Sequence, residues 1–414
     1  MPLQAFPKLK KILRGINFIR TTKRISSISP SLTLAITAKA KAMKAEGKSV
    51  IGFGAGEPDF NTPQHIIDAA KDALDKGYTK YTPSSGLPAL RKKIADKFKE
   101  EQGLEYDPSQ IVVSSGAKHS IFNAMFALVE DGDEVIIPAP YWLTYPEVVK
   151  VCGGKSVFVE GRKENHFKMN PADLKAAITP KTKLLVFNSP SNPTGAVYTE
   201  AEIRAIAKVV EEAGIWVLSD EIYSKLIYDG VKHFSIARAS DYMKDHTVVV
   251  DGVSKTYAMT GWRIGWLAAP KDVAKAIDSF QSHATSNPTS ISQYATLAAL
   301  NGSEEELVKM REIFNDRRKF MISRIKEIEN LSCIEPDGAF YIMLIVDKLY
   351  GKRFNGRKIN GSLDVADMLL EKGVAVVPGI AFGDDECVRL SYAISKEDIA
   401  AGLDRIEEFV KEVF

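Results

Sequence analysis

The sequence predicts an α/β protein in which helices sandwich a mostly parallel sheet of seven or eight strands, followed by a smaller α+β unit. From about residue 48 to residue 270, short runs of β-branched residues alternate with longer stretches whose apolar residues recur three and four positions apart. After residue 271 the helices become longer and more charged, and the strands become fewer. With 414 residues, 45% of them hydrophobic, the chain can build two or three structural units.

The predicted sheet takes its strands from eight short apolar segments. They are residues 50–53, 111–114, 134–138, 155–160, 183–188, 215–220, 247–252 and 264–269. Helical spacing of apolar residues predicts the covering helices at 63–76, 87–102, 119–128, 172–178 and 200–213. If the strands are parallel, their carboxyl ends meet at one edge of the sheet, where such folds hold their ligands.

The smaller unit contains longer helices and dispersed strands. Its predicted helices cover 271–280, 290–300, 303–329 and 396–413, and its predicted strands cover 339–346, 374–377 and 388–392. The stretch 348–360, rich in Lys, Arg, Gly and Asn, is predicted to be a surface loop. We therefore divide the chain into a basic N-terminal extension (1–23), a segment that joins the smaller unit (24–61), a large domain (62–300) and a small C-terminal domain (301–414).

Composition argues against several functional classes. Lys and Arg number 55 and Asp and Glu 53, so no overall charge selects nucleic acid as a partner. The three cysteines, at positions 152, 333 and 387, have neither metal-ligand nor redox spacing. No apolar run approaches the length that crosses a bilayer. We therefore expect a cytoplasmic protein with no metal and no membrane role.

The N-terminal stretch has a composition of its own. The first 45 residues contain no Asp or Glu, and basic residues recur through the first 24. A basic amphipathic start can be an organelle transit peptide or a membrane-surface helix, but the small-residue cleavage site of a secretory signal is absent from it. An extension without a targeting role is the commoner explanation, and we favour it.

Two residues at the ends of predicted strands are candidates for chemistry. Lys255 follows the strand 247–252, and a buried or electropositive setting would lower its pKa enough for nucleophilic attack. Most lysines are simply solvated, so alone it is a weak candidate. Asp220 ends the strand 215–220 and could bind a metal, cap a helix or keep a pyridinium nitrogen protonated. Because metal-binding motifs are missing, we rank pairing with a cofactor above metal binding.

Two further segments have the residue types of an anion site. In Ser114–Lys118, small residues between a strand and a helix let backbone N–H groups approach an anion, although an ordinary tight turn explains them equally well. Arg389 lies in the strand 388–392, where a buried guanidinium needs a partner such as a carboxylate.

Eight separated motifs, taken together, make the chain resemble a known family. In order they are GAGEPDF (54–60), KYTPSSGLPALR (80–91), SGAKHS (115–120), PYW (140–142), NSPSNPTGA (188–196), SDEIY (219–223), SKTYAMTGWRIG (254–265) and VRLSYA (388–393). They resemble the fold type I pyridoxal-phosphate enzymes and, within them, the class I aminotransferases of the bacterial aspartate aminotransferase branch. The resemblance runs from about Arg24 to the C-terminus.

The resemblance implies pyridoxal 5′-phosphate as cofactor and ping-pong transfer of amino groups between amino acids and 2-keto acids. It implies that Lys255 carries the cofactor as a Schiff base and that Asp220 pairs with the pyridine nitrogen. The other implied contacts are Tyr223 and Asn192 at the ring's phenolic oxygen, Trp142 on the ring face, and Gly116, Ala117, Lys118, Ser254 and Arg263 at the phosphate. Arg389, with Gly56 and Asn192 beside it, is implied as the clamp for the substrate's α-carboxylate.

The resemblance also bears on assembly and substrate. Tyr81 matches a residue that reaches the phosphate of the neighbouring subunit, which implies a homodimer with shared active sites, although a buried aromatic in a turn is the alternative. Lys118 matches a lysine that helps to bind a distal carboxylate, which favours aspartate, with 2-oxoglutarate as acceptor. Aromatic or prephenate transamination and a lyase of the same fold are alternatives, and Ser29 stands where many prephenate enzymes have a lysine. A non-enzymatic effector-binding protein is the third, but a helix-turn-helix pair is not seen in the sequence.

Overall fold

The computed structural model describes residues 21–414, so the predicted extension 1–23 lies almost entirely outside the described residues. Within that range the chain alternates strands with helices. The strands are β1 (Ile51–Gly52), β2 (Ile111–Ser114), β3 (Glu134–Ala139), β4 (Lys155–Glu160), β5 (Thr182–Asn188), β6 (Trp216–Asp220), β7 (Thr247–Gly252), β8 (Gly265–Ala268), β9 (Ser332–Cys333), β10 (Tyr341–Ile345), β11 (Arg353–Phe354), β12 (Arg357–Lys358), β13 (Val374–Ala375), β14 (Val377–Pro378) and β15 (Cys387–Ser391).

The α-helices cover both faces of the larger sheet and pack around the smaller one. They are Lys23–Ser26, Leu32–Ala45, Gln64–Asp75, Pro88–Gln102, Ala117–Leu128, Thr144–Cys152, Pro171–Ala177, Glu200–Ala213, Asp241–Asp245, Val253–Thr256, Lys271–Ala284, Ser290–Asn301, Glu305–Glu327, Ser362–Glu371 and Lys396–Val413. The strongly amphipathic helix Glu200–Ala213 illustrates why they form. Thr199 and Glu202 close its first turn as a capping box, and Gly214 ends it in a left-handed conformation.

The larger sheet has seven strands in the order β2-β8-β7-β6-β5-β3-β4. β8 alone runs opposite to the other six strands, so the sheet is mostly parallel, as the sequence predicts. The sheet is buried on both faces at this end, since the edge strand β2 and its neighbour β8 contain no exposed or half-buried residue. Sheets of this kind read as continuous apolar runs, and for this reason seven of the eight predicted strands are recognisable in the sequence.

The eighth predicted strand, residues 50–53, lies elsewhere. Its core Ile51–Gly52 pairs in parallel with Val374–Ala375, outside the seven-stranded sheet. The prediction that this strand belongs to the large sheet is therefore wrong, because an apolar run predicts a buried strand but not the strand with which it pairs. The remaining sheet is antiparallel, in the order β14-β15-β10-β9. The domain limits at residues 62, 300 and 301 stay a prediction.

The stretch 348–360, predicted to be a loop, contains a short hairpin instead. Strands β11 and β12 pair in it, and Phe354 on β11 is buried against Phe409 of the last helix, with ring centroids 5.1 Å apart. Because the other residues of both strands are exposed and charged, the sequence shows no strand pattern around this one buried aromatic. The loop prediction was wrong on this point.

Residues 21–414 contain neither a membrane-spanning helix nor a cluster of potential metal ligands. No helix in that range combines the length and the apolar character needed to cross a membrane. Nor do His, Cys, Asp or Glu side chains in the same range cluster in threes that could hold a metal ion.

Candidate active site

The registers of the large sheet bring the ends of four strands to one edge. Asn188 at the end of β5 lies opposite Asp220 at the end of β6, and Asp220 lies opposite Val250 of β7. Gly265, which begins β8, lies opposite both Ser114 of β2 and Gly252 of β7. Residues that directly follow β2, β5, β6 and β7 therefore converge on the same place, and a cavity of about 240 Å³ opens there.

Lys255 enters this cavity from the one-turn helix after β7. Its ammonium group donates a hydrogen bond to the carbonyl of Gly56. Burial lowers the pKa of Lys255 to about 8; nearby Glu57 opposes this shift, and Arg263 and Arg389 contribute to it. An amine in this environment is partly neutral near pH 7, which is what nucleophilic attack on a carbonyl requires.

Asp220 lines the same cavity and is almost fully buried. Burial raises the pKa of Asp220 to about 6, although hydrogen bonds from the Tyr145 hydroxyl (2.7 Å) and from the backbone of Ile222 (3.2 Å) favour the charged form. The carboxylate has no cationic hydrogen-bond partner among the described residues. A buried acid of this kind is suited to a ligand that brings a positively charged N–H group.

Asn188 connects two parts of the site. Its amide donates to the backbone carbonyl of Asp220 (2.8 Å), and its side-chain oxygen accepts from the backbone N–H of Asn192 (2.9 Å). The buried Asn192 in turn accepts a hydrogen bond from Arg389 (2.9 Å). The loop after β5 is thereby held against the end of β6 on one side and against β15 on the other.

A cradle for an anion lies at the start of the helix Ala117–Leu128. Gly116 caps this helix with φ +90°, and a Cβ atom there would lie 2.5 Å from Nη2 of Arg263. The Arg263 guanidinium donates to the carbonyls of Thr260 (2.8 Å) and Ser115 (3.4 Å). Free N–H groups at a helix start, a guanidinium and the nearby Ser254 match the donors that phosphate groups bind.

Arg389 lies on β15, is 2% exposed, and is a buried cation whose hydrogen-bonding groups are not all paired. Its Nη1 donates to Asn192 and its Nη2 to the carbonyl of Gly54 (3.3 Å), but its Nε has no hydrogen-bond partner among the described residues. The guanidinium packs over the ring of Tyr341, 4.3 Å from the centroid. No carboxylate of the described chain pairs with it, so a ligand carboxylate would complete its coordination.

Aromatic side chains border the cavity. The hydroxyls of Tyr223 and Tyr341 are hydrogen-bonded to each other at 2.9 Å, and both tyrosines are buried. On another side, Trp142 stands edge-on to Tyr145, and the ammonium of Lys118 lies 4.8 Å from the centre of the Trp142 ring. Burial lowers the pKa of Lys118, and Arg263 adds to the effect.

The structure thus brings most of the predicted site residues around one cavity. Those that line it are Gly56, Ala117, Lys118, Trp142, Asn192, Asp220, Tyr223, Ser254, Lys255, Arg263 and Arg389. Gly116 contacts this set through Arg263. Tyr81 is different, since it is 89% exposed and does not line the cavity of its own chain.

Several cavity residues were missed at the level of sequence. Tyr145 and Tyr341 contact Asp220 and Tyr223, which lie 75 and 118 positions away, so local pattern gives no sign of them. Thr33 and Leu34 reach the cavity from the N-terminal helix, and Thr260 reaches it beside Arg263. Only Asn188, within the motif NSPSNPTGA, carried a signal, because it is a polar residue that ends a buried strand.

The chain is similar to known proteins along almost its whole length. The family model of aminotransferase class I and II matches residues 48–406. The chain is 52% identical over 398 residues to the aspartate aminotransferase of Bacillus subtilis (strain 168), covering 95% of this chain and 100% of the relative. It is 45% identical over 388 residues to the aspartate/prephenate aminotransferase of Cereibacter sphaeroides (strain ATCC 17029 / ATH 2.4.9), covering 93% and 97%. The solved aspartate aminotransferase of Rhizobium meliloti is similar with a TM-score of 0.92 and 44% identity, over 95% of this chain and 99% of that one.

Proposed function

The chain belongs to the class I and II aminotransferases, and we propose that it transfers the amino group of L-aspartate to 2-oxoglutarate by a ping-pong mechanism. The enzyme is a pyridoxal-phosphate-dependent transaminase. The observation that carries the substrate proposal is the presence of two cations, Arg389 and Lys118, in the cavity that holds Lys255 and Asp220. A dicarboxylic amino acid offers one carboxylate to each cation.

The residues present fit the cofactor. A Cβ atom at Gly116 would collide with the Arg263 guanidinium, so the glycine lets this cation lie against the helix start, whose first N–H groups have no capping side chain. The buried Asp220 accepts no hydrogen bond from a cation of residues 21–414, and burial lowers the pKa of Lys255. These groups would hold a phosphate, a ring nitrogen and an aldehyde carbon, respectively. Bound there, pyridoxal phosphate supplies an aromatic ring that delocalises the charge left when the α-proton of the amino acid is removed.

Lys255 has two roles in this proposal. Its neutral amine would hold the aldehyde carbon of the cofactor, and the same nitrogen, when free, would take the α-proton of the bound amino acid and hold it for return. Both tasks need an amine that exchanges a proton near neutral pH, and burial provides this by lowering its pKa to about 8. A lysine with an ordinary pKa would remain charged almost all the time.

Asp220 is proposed to hold the proton on the ring nitrogen. Tyr145 donates a hydrogen bond to one of its oxygens, which orients the carboxylate and favours its charged form. The proposed ring contacts are the Tyr223 hydroxyl and the Asn192 amide at the phenolic oxygen, with the Trp142 indole against one face. Tyr223 already shares a hydrogen bond with Tyr341, so its hydroxyl is oriented before a ligand arrives.

Arg389 is proposed to clamp the α-carboxylate beside Gly56 and Asn192. Its Nη1 donates to Asn192, its Nε has no hydrogen-bond partner among the described residues, and no carboxylate of those residues forms an ion pair with it. Lys118, over the Trp142 ring, is proposed to meet the distal carboxylate. Holding both ends of the substrate would orient the bond that is to be broken and favour dicarboxylic amino acids, because a monocarboxylic one leaves Lys118 without a partner.

The proposed assembly is a homodimer in which each Tyr81 reaches the phosphate of the other subunit. An aromatic side chain that is 89% exposed in the single chain supports this proposal. The other proposed partners are small amino acids and keto acids. A cytoplasmic location is also part of the proposal. It is supported by the three cysteines, all of which are unpaired, as is usual in a reducing compartment.

Prephenate transamination is a second candidate, because one of the relatives is named an aspartate/prephenate aminotransferase. At the position where many such enzymes have a lysine, this chain has Ser29, whose backbone N–H donates to Glu147 (3.0 Å). Turnover of prephenate, with glutamate or aspartate as donor, measured beside turnover of aspartate with 2-oxoglutarate, decides between the two activities.

Replacement of Lys255 by alanine tests the proposed chemistry. We expect Lys255→Ala to lose the absorbance of lysine-bound cofactor together with all transamination, whereas Lys208→Ala, an exposed lysine on the helix Glu200–Ala213, should retain both. Unchanged absorbance and activity in Lys255→Ala would remove the assignment. Release of product from aspartate without any need for a keto acid would instead indicate a lyase of the same fold.

A further inference from the structure

Tyr81 lies in a stretch without regular secondary structure that is nevertheless firmly attached to the chain. Residues 78–87, here called the Tyr81 segment, connect the helix Gln64–Asp75 to the helix Pro88–Gln102. An irregular, exposed stretch between two helices is ordinarily mobile, because few buried contacts oppose its conformational entropy. The direction in which Tyr81 projects therefore depends on what holds this segment.

Three side chains on one face of the helix Ser290–Asn301 hold it. Ser290 donates to the carbonyl of Lys80 (2.7 Å), and the ring of Tyr294 stacks on Tyr78 with centroids 4.6 Å apart. Between them in sequence lies Gln293, and residues three and four apart on a helix share a face. The contacts on either side of Tyr81 thus come from a single rigid element.

Gln293 makes the central contacts and is 0% exposed. Its amide nitrogen donates to the hydroxyl of Thr82 (3.0 Å) and to the carbonyl of Pro288 (2.8 Å), while its amide oxygen accepts from the backbone N–H of Leu87 (2.8 Å). One buried amide therefore joins the beginning and the end of the turn that follows Tyr81. It uses both of its donors and one acceptor site in doing so.

The turn that follows Tyr81 is closely packed on two sides. Gly86 has φ +99°, and a Cβ atom there would lie 2.8 Å from Val113 and 3.1 Å from the side-chain oxygen of Gln293. On the other side, the buried Gln281 donates to the carbonyl of Ser84 (2.7 Å). Packing this close means that a loss of Gln293 contacts would be felt along the whole turn.

We propose that Gln293 is a positioning residue for the active site of the neighbouring subunit: it fixes the direction of Tyr81, and so the affinity of the partner's site for the cofactor phosphate. The inference rests on the proposed function, in which Tyr81 reaches across the dimer. The site that Gln293 serves is therefore not the one in its own chain. Neither Gln293 nor any residue that it contacts lines the cavity of its own chain.

Hybrid dimers test this placement. In the first hybrid, one chain carries both Lys255→Ala and Gln293→Met and the other chain is wild type. In the second, one chain carries Lys255→Ala and the other carries Gln293→Met. Both contain the same two substitutions, so any loss of folding stability is matched. In each hybrid, only the chain with Lys255 gives the absorbance of lysine-bound cofactor, which is titrated with pyridoxal phosphate.

We expect the first hybrid to bind cofactor about tenfold more weakly than wild type, the size of one lost hydrogen bond to a charged group, and the second to bind as wild type does. The opposite order, or equal affinities in the two hybrids, would overturn the inference. Thr82→Val, which removes only the hydroxyl contact, should show the same order with a smaller effect and guards against misfolding of Gln293→Met.

Tyr81→Phe, placed in the same two arrangements, separates this inference from the shared active site. Weaker cofactor binding when Tyr81→Phe is on the Lys255→Ala chain supports the shared site. If that holds while Gln293→Met shows no such order, the role of Gln293 is wrong and the shared site stands. If Tyr81→Phe has no effect in either arrangement, both are wrong.

Discussion

At the scale of single residues, the site depends on ionisable groups whose environment shifts their proton affinity toward neutrality. Burial moves the pKa of Lys255 down and that of Asp220 up, to about 8 and about 6. The two shifts have the same origin, because a charged group loses hydration when it is buried whichever sign it carries. Strongly shifted groups that share a cavity are typical of active sites.

The lowered pKa of Lys255 predicts the pH dependence of cofactor capture. Only the neutral amine attacks the aldehyde, so the rate at which apoenzyme captures pyridoxal phosphate should rise about tenfold per pH unit below about pH 8 and level off above it. Stopped-flow absorbance between pH 6 and pH 9.5 measures this. A rate that keeps rising through the whole of this range would mean that Lys255 has an ordinary pKa.

Tyr145 should control the proton affinity of Asp220. Tyr145→Phe removes a hydrogen bond to the carboxylate, so the pKa of Asp220 should rise further above about 6. The carboxyl infrared band of the apoenzyme, titrated against pH and assigned by its absence in Asp220→Asn, reports this shift. Tyr106→Phe is the matched control, since Tyr106 is also a buried tyrosine but does not line the cavity. A titration midpoint that is the same in Tyr145→Phe and wild type would contradict the role given to Tyr145.

Lys118 should discriminate between substrates. Lys118→Met removes the cation proposed for the distal carboxylate, so kcat/KM for aspartate should fall by about 10- to 100-fold while that for alanine stays within a few-fold. Equal losses for both amino acids would show that Lys118 serves the cofactor alone.

At the scale of elements, the hairpin β11–β12 shows how little sequence is needed to anchor a segment. Within the hairpin Phe354 carries the attachment, because it is 3% exposed and packs on Phe409, whereas the other residues of both strands are charged and exposed. The hairpin borders the last helix and does not line the active-site cavity.

Phe354→Ala should therefore lower the stability of the protein and leave its chemistry unchanged. We expect the free energy of unfolding to fall by about 3–5 kcal/mol, as for other buried phenylalanines, and kcat per folded molecule to remain that of wild type. Urea denaturation and steady-state kinetics measure the two quantities. Lys358→Ala in the same hairpin should stay within about 0.5 kcal/mol; if both variants lose equal stability, Phe354 is not the anchor.

At the scale of the whole molecule, the sequence predicts the features that a local pattern of residues defines. Central strands such as β6 and β7 are recognisable because they are buried on both faces, and the motif residues Asp220 and Lys255 stand at or just after the ends of those strands. Tyr145 and Tyr341 could not be foreseen, because their contacts arise only when distant segments fold together. The same holds for β1, whose partner β13 is more than 300 positions away in the chain.

The register of β6 and β7 has a consequence for how this chain can change. Asp220 is opposite Val250, and successive side chains of a strand point to opposite faces. One extra residue in either strand would turn every side chain after it to the opposite face and move the acid or the amine off the shared edge. The turn at 355–356, between β11 and β12, carries no such constraint, because both of its residues are exposed. A library of single-residue insertions should therefore divide sharply, with functional members found in this turn and none within the two central strands.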